Sequence, residues 1–220
     1  DESTFFKSIK TILPGHILKV APTGIDSTPY LYFNPDQWNH LKNAGDYSNQ
    51  LLIALKDSIY KYAKNGSIAS HLSGGMDSSS VSALTKNLFP NKPLHTLYAD
   101  TDTDFSRESK YSKLVSQKIG SIHHEVKPAT NDFELLVNLT AEYAQPEQSV
   151  SSPGLHVQLM EFAKSQGCTV LLNGLNGDTI IGMGHEYLEE LVNLKDWKTL
   201  KPILEELSTE ESLQYHYEDW

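Results

Sequence analysis

The stretch that most constrains this chain is Ser73-Gly74-Gly75-Met76-Asp77-Ser78-Ser79-Ser80. Before it, Ser67-Ile68-Ala69-Ser70-His71-Leu72 is short and partly apolar and reads as a strand. After it, Val81, Leu84 and Leu88 follow the spacing of a helix face. The stretch is therefore a glycine turn from a strand into a helix N-terminus. The glycines permit tight backbone and close approach of a ligand to the main chain. First-turn N–H groups have no partner inside a helix, and with the dipole and the Ser hydroxyls they form a site for phosphate. Asp77 beside a phosphate is repulsive unless a cation intervenes, so Mg²⁺ with a polyphosphate is the natural reading. No Gly-Lys-Ser/Thr follows as in a Walker A loop, and the glycine spacing is wrong for a dinucleotide fingerprint. A Ser/Gly turn that merely caps a helix is the plain alternative. The order of strand, loop, acid and helix counts against it.

Around this loop the pattern alternates. A helix is expected from Tyr47, with Leu51, Leu52, Leu55, Ile59 and Tyr62 on one face and Gly66 as its stop. After the loop helix, Leu94–Ala99 reads as a second strand and Ile122–Val126 as a third. Between them Glu108 to Ile119 reads as a helix with Tyr111, Leu114, Val115 and Ile119 inward. Helices are expected from Asn131, with Phe133, Leu136 and Leu139, and after Pro153, with Leu155, Leu159 and Phe162 inward. Thr169-Val170-Leu171-Leu172 reads as a fourth strand. This alternation means an α/β fold, a parallel twisted sheet with helices on both faces. Ligands of such sheets bind outside the carboxyl ends of the strands. A second loop, Asn173-Gly174-Leu175-Asn176-Gly177-Asp178, lies at such an end. Two aspartates there, Asp77 and Asp178, can hold one Mg²⁺ on a triphosphate.

Residues 1–46 do not share the pattern. Phe5, Phe6, Ile9 and Ile12 trace one helix face up to Pro14-Gly15, and Ile17–Val20 and Tyr30–Phe33 read as two short strands. Tyr47 to Leu207 is the main domain, its tail from Tyr187 a helix with Leu188, Leu191, Leu194, Trp197, Leu200, Ile203 and Leu204 toward a core. Residues 208–220 form a tail, with no clear structural signal from Ser212 onward.

Composition sets the outer bounds. The 220 residues suffice for one α/β domain with a full core. A net charge of -10 argues against a general nucleic-acid binder. No apolar run approaches membrane-spanning length, and no signal peptide is visible. The lone Cys168 excludes an intrachain disulfide and fits a reducing, cytoplasmic setting. It reads as a packed thiol. His123 and His124 are strand neighbours that point to opposite faces, so they do not share one metal ion.

The first loop resembles the SGGxDS pyrophosphate loop of the N-type ATP pyrophosphatases, the PP-loop superfamily. The resemblance implies an adenine nucleotide alpha hydrolase-like fold, and ATP cleaved between its α- and β-phosphates. Over most of residues 3–207 the chain resembles the synthetase domain of glutamine-dependent asparagine synthetases. Leu72 to Ser79 matches LSGGxDSS, and Glu108 to Gly120 with Ile122-His123-His124-Glu125 matches a further family segment. Asn173 to Asp178 stands where the family has SGxGxDE, and Phe5 to Ile17 looks like the linker into this domain. The resemblance implies that Ser73, Gly74, Gly75, Asp77 and Ser78 hold pyrophosphate, with Asp77 and Asp178 on Mg²⁺. It implies that Leu72, Ala99, Asn173 and Gly174 contact adenosine. The activity implied is amide formation through an acyl-adenylate. The implied partners are a small-molecule or peptide carboxylate and ammonia or an amine, with a glutaminase domain in a longer chain.

Leu175 stands where the family often has an acidic or aromatic residue, and Thr179 where it has Glu. An aliphatic side chain neither hydrogen-bonds nor moves a proton, which counts against free aspartate as substrate. Gly184 to Leu191, then Trp197, is similar to divergent relatives that serve peptide maturation, such as lasso-peptide macrolactam cyclases. The glutaminase half and the segment that carries a family lysine are not in these residues, so a partial synthetase domain is expected. Two other readings stay open: a nucleotide-binding module without catalysis, and a sulfur-transfer or tRNA-modifying enzyme of the same superfamily.

Overall fold

The computed structural model describes residues 2–100, 106–127, 132–144, 153–181 and 185–217. It divides into two compact units, Asp1–Asn173 and Gly174–Trp220. The first holds a four-stranded sheet of β3 (Ile68–His71), β4 (Leu94–Ala99), β5 (Ile122–Val126) and β6 (Val170–Leu172). All three pairings are parallel, and the order is β5-β4-β3-β6. The chain steps from β3 to β4 to β5 in one direction, then returns to place β6 on the other side of β3. That reversal is a topological switch point, and the loop after β3 lies at it.

Helices cover both faces, because side chains alternate along each strand. Ile68 and Leu94 pack with Ile59 and Ala63 of α1 (Ala44–Ala63) and with Val81, Leu84 and Leu88 of α2 (Met76–Leu88). Ala69, Leu97 and Val126 face the other way. They pack with Leu159 and Ala163 of α5 (Pro153–Ser165) and with Cys168, whose thiol burial holds protonated. The side chain of Asn43 caps α1 by accepting the Asp46 N–H at 3.1 Å. Lys92 closes the other end, its ammonium donating to the carbonyls of Lys64 (2.7 Å) and Gly66 (3.1 Å).

One helix is turned differently from its apolar pattern. In α3 (Ser106–Ile119) Tyr111 and Leu114 are exposed, whereas Ser112 and Ser116 are buried beside Val115 and Ile119. The sheet below offers hydroxyl and imidazole groups, so the serines turn inward. Likewise only the second half of α1 reaches the core, and Leu51, Leu52 and Tyr62 stay exposed. The helix α4 (Asp132–Tyr143) lies where expected, although Asn131, the expected start, is outside the described residues.

The N-terminal segment corrects two expectations. Residues 5–8 are bends and turns, not a helix. Phe5, Phe6, Ile9 and Ile12 are all exposed, so their spacing has no core to bury it, and a helix this short does not persist alone. Thr4 closes the turn instead, accepting from Phe6 N–H at 3.1 Å and donating to the Ile9 carbonyl at 2.6 Å. The second strand is β2 (Gly24–Pro29), paired antiparallel with β1 (His16–Ala21), and not Tyr30–Phe33. A two-residue turn at Pro22-Thr23 outweighs the β-propensity of the aromatic run, since short closure fixes hairpin register.

The second unit holds α6 (Gly177–Ile181), α7 (His185–Asn193) and α8 (Trp197–Tyr217). The single helix expected from Tyr187 is broken at Leu194-Lys195-Asp196. Lys195 takes φ 56°, its N–H donates to Val192 O (3.0 Å), and Asp196 N–H donates to Leu191 O (2.9 Å). That is a Schellman ending with lysine at the position glycine usually fills. Asp196 then caps α8, accepting from Thr199 N–H (3.2 Å) and Thr199 hydroxyl (2.7 Å). Leu191 and Leu200 are buried, while Leu194, Trp197 and Leu204 are exposed. Helix continues to Tyr217, through residues from Ser212 onward that carry no clear sequence signal. Gly184 and residues 218–220 are outside the described residues. No described helix is long and apolar enough to cross a membrane.

The sheet carries imidazoles on both faces. His123 and His124 point apart as expected: His123 meets Thr96, and His124 Nε2 lies 3.0 Å from His95 Nδ1. The His95 and His124 rings lie 3° from parallel, and His124 also packs on Phe162. One proton serves that contact, and two would set N–H against N–H. Burial lowers the pKa of His71, His123 and His124, with His95 a second cause at His124. A His that is harder to protonate when folded stabilises fully above its unfolded pKa and loses that stability as pH falls. The urea midpoint should therefore drop reversibly between about pH 7.5 and about pH 5.5, before carboxylates titrate. An unchanged midpoint over that range would show these rings to be free to protonate in place.

Candidate functional site

The loop after β3 is built from its backbone outward. Leu72 is fully buried, and its N–H extends the strand pairing to Leu97 O at 2.8 Å. Gly74 then takes φ 98°, and Gly75 is the N-cap of α2 with no side-chain cap bond. A Cβ on Gly74 would stand 2.8 Å from Glu108 O, Ser112 N and Tyr111 Cβ of α3. Gly74 is thus required twice over, by its conformation and by the backbone pressed against it. Gly75 is different: its φ is -69°, and an added Cβ would meet only Ser73 Oγ, at 3.4 Å.

Serines brace the turn from inside. Ser78 is 5% exposed, and its hydroxyl accepts from Ser73 N–H (3.1 Å), contacts Ser73 Oγ (2.9 Å) and lies 3.3 Å from Gly75 O. Ser73 Oγ accepts from Gly75 N–H at 3.2 Å. Ser70 on β3 and Ser82 on α2 meet at 2.8 Å between their hydroxyls, fixing the helix on the strand that feeds it. With these bonds made, the N–H groups of Met76, Asp77 and Ser78 have no acceptor among the described residues. Unpaired N–H groups at a helix N-terminus can accommodate an anion. The half-buried Asp77 stands in that same first turn. A carboxylate there next to a bound phosphate fits a shared divalent cation. The hydroxyl of Ser79 is buried with no partner among the described residues. Nothing in the motif marks Ser79 from its neighbours, because three serines follow Asp77 in a row.

The other site residues divide between the units. Ala99 ends β4, half-buried and packed against the α5-side core. Ser70 pairs with Leu172, so the exposed Asn173 leaves the sheet level with His71. The first unit therefore brings Leu72 to Ser78, Ala99 and Asn173 to the carboxyl ends of neighbouring strands. Gly174 and Asp178 belong to the second unit. There Gly174 O accepts from Gly177 N–H at 3.2 Å, Asn176 takes φ 65°, and Asp178 is exposed in the first turn of α6. Leu175 is 62% exposed. Among the described residues no three His, Cys, Asp or Glu side chains form a metal cluster of their own.

Asparagine synthetase (glutamine-hydrolyzing) 3 of Bacillus subtilis (strain 168) is 25% identical over an alignment of 142 residues that covers 58% of this chain. The match spans 23% of that protein's length. Among solved structures, the NH3-dependent NAD synthetase from Campylobacter jejuni subsp. jejuni NCTC 11168 aligns with TM-score 0.41 and 14% identity, over 62% of this chain and 60% of that one. NMN synthetase from Francisella tularensis aligns with TM-score 0.37 and 19% identity, over 58% of this chain and 52% of that one. The family model for asparagine synthase matches residues 50–219, from within α1 through the glycine loop and the second loop. With that match over most of its length, the chain belongs to the asparagine synthase family.

Proposed function

We propose that this chain is the ATP-binding part of an enzyme that forms an amide bond through an acyl-adenylate. The observation that carries the reading is the loop after β3, whose first-turn N–H groups have no acceptor among the described residues and stand beside Asp77. In this reading a carboxylate oxygen attacks the α-phosphorus of ATP, and the bond to the β-phosphate oxygen breaks. The electron pair and charge leave on pyrophosphate. Ser73, Gly74, Gly75 and Ser78 form the loop that cradles it, and the α2 N-terminus favours its negative charge. Leu72, Ala99, Asn173 and Gly174 border the adenosine. Ammonia or an amine then attacks the acyl carbon, loses a proton, and AMP departs.

Asp77 and Asp178 would hold Mg²⁺, which when bound neutralises phosphate charge. The acyl partner is a small-molecule or peptide carboxylate, and a glutaminase domain in a longer chain is one source of ammonia. An ATP-dependent role and the buried free Cys168 fit a cytoplasmic setting. Leu175 and Thr179 favour a second reading, nucleotide binding without catalysis. ATP–pyrophosphate exchange with candidate carboxylates separates the two.

Titration with pyrophosphate and with ATP·Mg²⁺ tests the loop. Gly74→Ala should weaken both at least tenfold, about 1.4 kcal/mol. Gly75→Ala, with room for its methyl, should cost much less. Equal binding by wild type and a folded Gly74→Ala would remove the loop from the site.

The cation is tested by a cycle. Asp77→Asn and Asp178→Asn should each weaken ATP in Mg²⁺ yet change it little in EDTA. The double variant should lose much less than the sum, since either change already cripples the same ion. Strictly additive losses would mean two separate sites.

A further inference from the structure

The face that α3 turns to the sheet is polar, and its hydrogen bonds lead to the phosphate loop. Thr96 of β4 is fully buried, and in register it sits opposite His123 of β5. Its hydroxyl oxygen lies 2.9 Å from Ser121 Oγ and 3.1 Å from His123 Nδ1. Ser121 Oγ lies 2.8 Å from Ser116 Oγ on α3. Across the ring, His123 Nε2 lies 3.4 Å from Ser112 Oγ, one turn earlier on α3. The Ser112 hydroxyl donates to Ser109 O at 2.9 Å, so its oxygen accepts from Nε2–H. That leaves Nδ1 to accept the Thr96 hydroxyl. Two routes thus run from one threonine to two successive turns of α3.

Tyr98, two residues along β4 on the same side of the strand, is buried as well. At the surface, Glu125 accepts from Ser109 Oγ (2.8 Å) and pairs with Lys113 (2.7 Å). An apolar face would hold a helix as firmly and without the desolvation cost. Directional bonds add a fixed rotation and height. What rests on α3 is Gly74, against the backbone of Glu108 and Ser112 and the Cβ of Tyr111.

We propose that Thr96, His123 and Ser112 are positioning residues for the phosphate loop: they set α3 on the sheet, and α3 sets Gly74. The inference rests on the reading that this loop binds phosphate. None of the three is assigned a ligand contact. They act through the α3 backbone.

The test uses the whole chain and four variants. Thr96→Val keeps shape and loses the hub hydroxyl. Thr96→Ser keeps the hydroxyl. Ser112→Ala cuts only the imidazole route. Leu159→Val loosens the α5-side core, away from α3. Amide hydrogen exchange is read without ligand, and pyrophosphate affinity by calorimetry.

Thr96→Val should speed exchange at residues 74–79 and across α3 at least tenfold and weaken pyrophosphate at least tenfold. Thr96→Ser should restore both, and Ser112→Ala should move both by less. Leu159→Val, at a similar loss of Tm, should change neither. Unchanged loop exchange in Thr96→Val overturns the proposal, as does equal loop exchange in Leu159→Val. Should Thr96→Val fail to fold, Ser112→Ala decides by the same loop exchange. Should wild type bind no pyrophosphate, the phosphate reading falls, and loop exchange alone decides whether these residues position the loop.

Discussion

The contact on which the first unit turns is backbone against backbone: Gly74 pressed onto the early turns of α3. No side chain fits between them. This lets the chain leave β3, reverse, and enter α2 with its N–H groups pointing outward. Gly75, by contrast, is a permissive partner. The paired glycines of the motif look alike in sequence, yet the packing makes only the first one obligatory.

Around that contact each face of the sheet pairs an apolar cluster with polar groups. The α5 side buries Leu97, Val126, Leu159 and Ala163 together, with His95 and His124 paired beside Phe162. The other side buries Ile68 and Leu94 and adds hydroxyls under α3, and Ser82 and Thr85 of α2 are buried as well. Two sets of interior hydroxyls join elements that must hold a set orientation: β3 to α2 through Ser70 and Ser82, and β4 to α3 through Thr96, Ser121 and Ser116. Burying polar groups costs free energy unless they are paired, so their concentration beneath the glycine loop reflects geometry more than stability.

Much of the fold was legible in the sequence, because the sheet follows alternation and glycine punctuation. The bounds of β4 and β5 were readable to the residue. Which way α3 faces was not. Periodicity counts apolar residues, and its buried face carries serines whose partners lie on strands far away in sequence. The break at Lys195 was equally hidden, since a left-handed helix ending is normally announced by Gly or Asn. The N-terminal reading failed for another reason: apolar spacing at Phe5 to Ile12 has meaning only where a core receives it. At the site, the glycine turn between a strand and a helix N-terminus was legible because apolar runs flank it on both sides. The orphaned Ser79 hydroxyl was not, since it depends on what neighbouring elements leave unpaired.

The β1–β2 hairpin has a consequence of its own. Two six-residue strands make a complete sheet, so each presents an outer edge without a strand partner among the described residues. Val20 and Ile25 face each other across it, both more than two-thirds exposed. Open edges with apolar side chains are templates for further strands. Lys19 opposite Asp26, and prolines at positions 22 and 29, work against such growth, one pair by charge and the other by withholding N–H donors. Four residues that stand apart from the glycine loop therefore blunt the open edges of this hairpin.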